Sequence, residues 1–345
     1  MSTQTVLRLP QRDTWTRLTA SSEAIPHANK HEVLVKVRSV SLNFRDIAIA
    51  ISQYPFPVKE NVIPGSDAAG DVFEIGEGVV DLEKGDKVVI AFDPSTLYGP
   101  IKSWGGGLGG PVDDVLREYI SVPAHAVVKI PTASSLSYAQ WASVVCTEAT
   151  AWNSLYGPTP LRPGQTVLFQ GTGGVSITGL ILAKAAGAIK IITSSSDAKL
   201  EHVKKTYSVD HTINYKTTPA WAAEAQRITA GRGVDYILEN GGSGTIKQSI
   251  VAIAYGGVIS MIEFLSSAPQ EEMPDVAGLA LSKGAIVRGI MVATKQLLEE
   301  AVRFIGARDL QVPAEKTFRF DRGEVVRALD YLASGQHVGT VCIDF

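Results

Sequence analysis

Val167-Leu168-Phe169-Gln170-Gly171-Thr172-Gly173-Gly174-Val175-Ser176 is an apolar run that enters a cluster of three glycines, and residues 177–186 follow it with a helical texture. The sequence here reads as a strand, a tight turn and a helix. Such a corner suits a phosphate group. Glycine tolerates backbone conformations closed to other residues and lets a phosphate come close. The first N–H groups of the helix, with its dipole, favour negative charge. A dinucleotide corner has glycine at its first, third and sixth places. Gly171 and Gly173 fill two of them, and Ser176 stands at the sixth, where glycine normally lets helix pack on strand. Alone, the motif is equally compatible with a structural glycine turn. Its surroundings decide.

From about residue 130 the chain alternates strands and helices. Strands are predicted over 167–170, 190–194, 234–239, 257–262 and 286–292, and helices over 174–186, 197–206, 219–229 and 243–253, with Asp197 capping the second. That is the pattern of a doubly wound parallel sheet. The earlier half is β-rich. Residues 32–40 alternate as a half-buried strand, 47–51 form a short helix, and 63–76 and 85–90 are turns leading into strands. A barrel-like domain is expected there. Residues 93–114 form a long Gly/Pro-rich loop, of the kind that is either a functional lid or disordered. Tyr98 or Trp104 on it either covers a substrate or anchors the loop. After residue 293, helices at 296–305 and 323–333 and a strand at 340–344 are predicted to return to the first domain. The expected division is therefore α/β, with a barrel domain at 1–129 completed by 293–345, and a doubly wound domain at 130–292.

The 345 residues suit two cores, and 45% hydrophobic with 19% charged residues describes a globular chain. A net charge of −3 gives no reason to expect nucleic acid or an anionic membrane. No signal-peptide pattern or membrane-length apolar run is visible, so the cytosol is the expected location. Two cysteines, Cys146 and Cys342, are too few for a disulfide framework. His27 and His31 lie in a polar loop rather than on a ligand-presenting helix.

The second strand of a dinucleotide site ends at the adenosine ribose, where a carboxylate selects the free 2′-hydroxyl of NAD. Here it ends in Ser194-Ser195-Ser196, with Lys199 close behind. Hydroxyls and an ammonium suit a 2′-phosphate, so NADP(H) is expected.

Several stretches together resemble the medium-chain dehydrogenase/reductase superfamily, nearest to its zinc-independent, quinone-oxidoreductase-like members. They are SLNFRD (41–46), IPGSDAAGDVFEIGEGV (63–79), KGDKVV (84–89), LRPGQTVLFQGTGGVS (161–176), GVDYILENGG (233–242), GGVIS (256–260) and SGQHVGTVCI (334–343). The resemblance implies a GroES-like catalytic domain, a Rossmann domain and a homodimer. It implies that Thr172, Gly173, Gly174 and Val175 meet the pyrophosphate. Ser194, Ser195, Lys199 and Tyr215 would surround the adenosine phosphate. Asn240 would lie under the ribose or nicotinamide, with Ile262, Phe264, Ile290 and Val292 framing the ring. Of the zinc-ligand positions, the first, normally Cys, is matched to Asn43, the second, normally His in a GHE motif, to Asp67, and the third to Cys146. Such a set makes a poor zinc site, and the lobe that would hold structural zinc corresponds to the cysteine-free loop at 93–114. Both zincs are expected to be absent. Glu263 stands where glycine is frequent, Cys146-Thr147-Glu148 replaces small residues, and Thr340 replaces a lysine.

Without a Lewis acid, hydride transfer works best on a double bond that is already activated. The expected function is thus NADPH-dependent reduction of a quinone or α,β-unsaturated carbonyl, an enoyl-reductase type of chemistry on a small-molecule substrate. Asn43 or Arg45 would stabilise the developing charge, and solvent or Tyr54 would supply the proton. Asp67, Trp104, Cys146, Glu148 and Glu263 would line the substrate pocket. A zinc-free alcohol dehydrogenase or ketone reductase, and an NADPH-binding scaffold without turnover, are the alternatives.

Overall fold

The computed structural model describes residues 2–345, the side chain of Trp104 excepted, so the pocket role expected of Trp104 lies outside the described residues. The chain divides into two compact units. One comprises residues 1–149 with 293–345, the other Thr150–Val292.

The first unit is organised on the strand Glu32–Leu42. Along one edge it pairs antiparallel with Asp67–Ile75. Along the other it pairs with Tyr119–Pro123 over residues 32–36 and with Thr340–Asp344 over residues 39–42. Ala314–Arg319 extends the sheet beyond Thr340–Asp344, and Lys87–Ile90 and Val127–Lys129 extend it beyond Asp67–Ile75. Val33, Val35, Val37, Val40 and Leu42 are buried in one cluster with Ile47 and Ile49 of the helix Phe44–Ala50, and with Val325, Leu329 and Leu332 of the helix Arg322–Ala333. Each such side chain contributes about 1.5–3 kcal/mol on burial. The C-terminal segment is therefore part of this core. The change of texture near residue 130 begins a helix of the same unit, because Tyr138–Ser143 packs on Glu32–Leu42 and Asp67–Ile75. The loop expected as lid or disordered is anchored. Gly109, with φ of +71°, lies so close to Gly65 that an added Cβ would fall on the Gly65 carbonyl.

The second unit is a six-stranded parallel sheet in the order His211–Asn214, Ile189–Ser194, Thr166–Gln170, Val234–Glu239, Ile253–Met261, Ile286–Gly289. Register places Ile191, Leu168, Ile237, Ile259 and Val287 side by side across five strands. Strands covered on both faces are rich in apolar residues, which is why the sequence reveals them. The exception is His211–Asn214, a four-residue strand with a polar start that gives no apolar signal. The last strand ends at Gly289, not Val292, and the fifth begins at Ile253, four residues before the expected start. No described helix is long and apolar enough to cross a membrane.

Candidate cofactor and substrate sites

The glycine corner joins the strand Thr166–Gln170 to the helix Gly174–Ala185. Gly171 has φ of +77°, a conformation side chains rarely adopt, and its N–H donates to the Thr193 carbonyl at 2.8 Å. Gly173 is the N-cap, so no side chain claims the first N–H groups of the helix. A Cβ added at Gly171 or Gly173 would meet nothing within 4 Å, which leaves the backbone open to a close ligand. Thr172 and Val175 are buried. Ser176, at the sixth place, is fully buried, and its hydroxyl donates to the Gln170 carbonyl at 2.7 Å. It ties the helix to the strand where glycine would only allow approach.

Beneath the corner lies a network that the sequence did not reveal. Glu239 is fully buried at the end of Val234–Glu239. It accepts hydrogen bonds from the N–H groups of Gly241 and Gly242, at 2.9 and 3.1 Å, from Gln170 Nε2 at 2.7 Å, and from the hydroxyls of Thr245 and Ser249. Gln170 Oε1 in turn accepts from the N–H groups of Asn240 and Gly241. Glutamine at 239 would turn one accepting oxygen into a donor facing donors. Glu239→Gln should therefore destabilise the protein by about 2–3 kcal/mol, read by urea denaturation. An unchanged midpoint would contradict the structural weight given to this network.

At the end of the second strand, Ser194 is buried and its carbonyl accepts from the Tyr215 N–H at 3.0 Å, while Tyr215 itself is exposed. Lys199 is half-buried in the first turn of the helix Asp197–Tyr207. The cap of that helix is Ser196, whose hydroxyl accepts from the Lys199 N–H, and not Asp197 as expected. Asp197 Oδ1 instead accepts from Asn214 Nδ2 at 2.6 Å. Ser194, Ser195, Lys199 and Tyr215 thus gather at one strand end, with the nearby carboxylate engaged by an amide.

Asn240 is buried and donates to the Gln170 carbonyl and to Ser176 Oγ, but its Oδ1 has no partner in the protein. An orphaned buried acceptor beside an open glycine corner fits a ribose hydroxyl. Ile262 and Ile290 hang from backbone bonds to Glu239 and Met261, and Phe264 is exposed. Val292 has φ of +52°, a strained conformation for a β-branched residue. Asn153 holds it by donating to its carbonyl at 2.8 Å, and Arg288 fixes Asn153 through two further bonds. Sequence reasoning missed Asn153 and Arg288, because nothing local marks a clamp that joins residues so far apart. Glu263 keeps some solvent contact. Burial pushes its carboxyl up, to about 7.

In the first unit, Asn43 Nδ2 donates to Asp67 Oδ2 at 2.9 Å and Ser66 Oγ to Asp67 Oδ1 at 2.7 Å. Asp67 is fully buried, and desolvation outweighs these bonds, pushing its carboxyl up to about 7. Glu148 lies in a π-helical turn, Val144–Glu148, that also carries Cys146 and packs against the strand of Asp67. Its Oε2 accepts from Thr147 Oγ1 at 2.7 Å, and its buried Oε1 has no partner in the protein. Burial first, then hydrogen bonding and the charge of Asp67, sets its carboxyl at about 8. Asp46 Oδ2 accepts from the Asn43 N–H at 2.8 Å, holding the turn into the helix Phe44–Ala50. Arg45 lies 4.9 Å from the Tyr54 ring and 5.0 Å from Phe92, and donates to the Leu108 carbonyl. Tyr54 also meets Phe56 edge-on. Arg45 and Tyr54 are therefore engaged with each other, and Asn43, Asp67 and Glu148 gather around the strand Asp67–Ile75, within reach of the Arg45 charge. Cys342 is enclosed, with its thiol pushed up to about 12.

The alcohol dehydrogenase GroES-like domain matches residues 29–132, and the zinc-binding dehydrogenase family matches residues 174–307. A zinc-type alcohol dehydrogenase-like protein of Schizosaccharomyces pombe is 41% identical over 320 residues, 91% of each chain. The chain belongs to the medium-chain dehydrogenase/reductase superfamily. It is an NAD(P)H-dependent oxidoreductase of that superfamily, with a GroES-like and a Rossmann-like domain. A Sinorhizobium meliloti 1021 protein that bears an alcohol dehydrogenase name, 32% identical, superposes over the whole of both chains with a TM-score of 0.88. A quinone oxidoreductase-like protein 2 homolog of Nematostella vectensis is 30% identical over 282 residues, 79% of this chain and 69% of that one.

Zinc, implied by the superfamily's zinc branch, does not fit the residues present. Aligning Gly65-Ser66-Asp67 with a GHE motif puts Ser66, not Asp67, in the histidine place, and Asp67 in that of the acid. The Asn43 amide and the Ser66 hydroxyl both donate to Asp67, so its oxygens face donors. Among the described residues no group of three or more His, Cys, Asp or Glu is placed to hold a metal ion.

Proposed function

We propose that this dehydrogenase/reductase is an NADPH-dependent, zinc-independent reductase of an activated double bond in a quinone or an α,β-unsaturated carbonyl. The observation that carries the reading is Glu148, a fully buried carboxyl with one unpartnered oxygen, pushed up to about 8. At neutral pH it is an acid, and its O–H is a donor suited to an oxygen that gains negative charge. Bound at the glycine corner, the nicotinamide supplies the hydride. Conjugation spreads the resulting charge onto an oxygen that one hydrogen bond and one proton satisfy, whereas an isolated ketone calls for stronger polarisation. Asn43 holds Asp67 in place beside this acid, and the relative from Nematostella vectensis carries a quinone oxidoreductase-like name.

NADPH is favoured over NADH by Ser194, Ser195 and Lys199 at the adenosine end, where the nearest carboxylate, Asp197, is bonded to Asn214. Titration with both dinucleotides should show NADPH binding more tightly, and a tighter NADH would sink that assignment. A panel of quinones, enones, ketones and alcohols, followed by NADPH consumption, should give turnover with the first two. Turnover of simple ketones alone would replace the reading with a ketone reductase, and none at all with a binding scaffold.

We propose further that the chain forms the homodimer its family resemblance implies, and an exposed sheet edge supports this. Ile286–Gly289 is an edge strand with Ile286 43% exposed, and Leu281 in the preceding helix Val276–Lys283 is 84% exposed. Sedimentation should find a dimer that Leu281→Glu/Ile286→Glu converts to monomer. A monomeric wild type would refute this.

A further inference from the structure

The first unit buries a second polar group set that reduction, as proposed above, leaves unused. Asp114 is fully buried and neither of its carboxylate oxygens has a partner in the protein. Arg45 Nε and Nη2, Arg117 Nε and Asp46 Oδ1 are likewise buried without a partner. Three orphaned donors therefore lie in a region with three orphaned acceptors. These groups share one region: Arg45 Nη2 lies against Gly110, Val115 packs against Gly65, and Arg117, Arg45, Asp67 and Asp46 all act electrostatically on Asp114. Each unmet group costs about 1–3 kcal/mol, more when charged. Native proteins meet such groups with ordered water, each molecule making about three hydrogen bonds.

The set also has two ends. Outward, Arg117 feels Asp113 and Arg8, and Asp113 binds Lys59 at 2.7 Å and Arg8 at 3.2 Å, with the Lys59 side chain 47% exposed. Inward, Arg45 and Asp46 act on Asp67, which acts on Glu148. The backbone fixes the middle, since the Asp114 N–H donates to the Ile63 carbonyl at 3.0 Å.

We propose that ordered water among Asp114, Arg45, Arg117 and Asp46 forms a proton route from the surface at Asp113 to Asp67 and Glu148. The proposal rests on the reductase reading. Reduction of a conjugated carbonyl takes one hydride and one proton. The Glu148 O–H bond breaks, the proton passes to the reduced substrate, and the electron pair stays on the Glu148 carboxylate. A proton from bulk water then travels the route and restores the acid, with no further oxidant or reductant. Asp114 touches no substrate. It positions water and accepts and releases protons through it. Burial pushes its carboxyl up against the pull of Arg117 and Arg45, so that it can hold a proton in transit.

The test is Asp114→Asn, of nearly the same size and shape. NADPH-dependent turnover of a reducible enone should fall about tenfold at alkaline pH with KM unchanged, and added imidazole buffer should restore it by carrying protons past the break. Rates equal to wild type at every pH would overturn the route, as would a loss that buffer does not rescue. Should the variant fail to fold, a high-resolution crystal structure of the wild type decides. Waters bonded to Asp114 and Arg117 are expected, and a dry seam overturns the proposal. A wild type that reduces enones beside an indifferent Asp114→Asn sinks the route alone, whereas a wild type without turnover sinks both.

Discussion

Gly173→Val should weaken NADPH binding on the order of 100-fold while leaving the fold almost untouched. The backbone at Gly173 has φ of −75° and ψ of 179°, extended values that valine adopts readily. No protein atom lies within 4 Å of the Cβ it would add, so the substitution clashes with nothing in the protein. Valine is a poorer N-cap than glycine, which sets the stability cost at about 1 kcal/mol or less. The new side chain does occupy the space through which a pyrophosphate approaches the helix N-terminus. Fluorescence titration with NADPH, beside a thermal melt, separates the two effects. Undiminished affinity would mean that the corner is only a turn. Gly179 is the control of opposite kind, because a Cβ there would press on Phe169, which should lower stability first.

Glu148→Gln should make the protein more stable at pH 8 by on the order of 4 kcal/mol and remove most of its activity. In the unfolded chain the carboxyl loses its proton near its ordinary 4.5, but in the folded protein it keeps it until about 8. Between these values unfolding releases a proton, so stability falls as pH rises, and the fall ends near pH 8. Glutamine has no proton to release, and it can still accept the Thr147 hydrogen bond. Asp67, pushed up to about 7, adds a slope of the same sign in both proteins, so the comparison should be made between wild type and variant. Melting curves from pH 5 to 9 test this, and parallel curves would refute the raised carboxyl. As the proposed proton donor, Glu148 should also make wild-type activity decline above pH 8. Its loss should lower kcat by about 10²–10⁴-fold.

Much of the second unit was legible in advance, because parallel strands buried on both faces leave long apolar runs and glycine marks the corner. The role of Ser176 was not legible, since its bond to the Gln170 carbonyl depends on a turn geometry that no residue pattern encodes. His211–Asn214 and Ala314–Arg319 escaped notice because short, polar edge strands lack alternation. For the proposed substrate end, the sequence offered residues to name but not their arrangement. Glu148 was visible as unusual, but its enclosure in a π-helical turn was not. Asn153, Arg288 and Gln170 act across 69 to 139 residues of chain and Asp114 through burial, and neither leaves a local mark.

The pairing of Thr340–Asp344 with residues 39–42 of Glu32–Leu42 has a consequence for synthesis. Residues 150–292 are contiguous and contain their whole sheet, so they can fold as soon as they leave the ribosome. The first unit is translated earlier but must wait about 300 residues for the strand that covers part of its central edge, and such distant closure is slow. Until then Glu32–Leu42 presents open backbone at residues 39–42, the kind of edge that recruits stray strands. The part of the molecule made first is therefore the part completed last, and its nascent form is the one that most needs a chaperone.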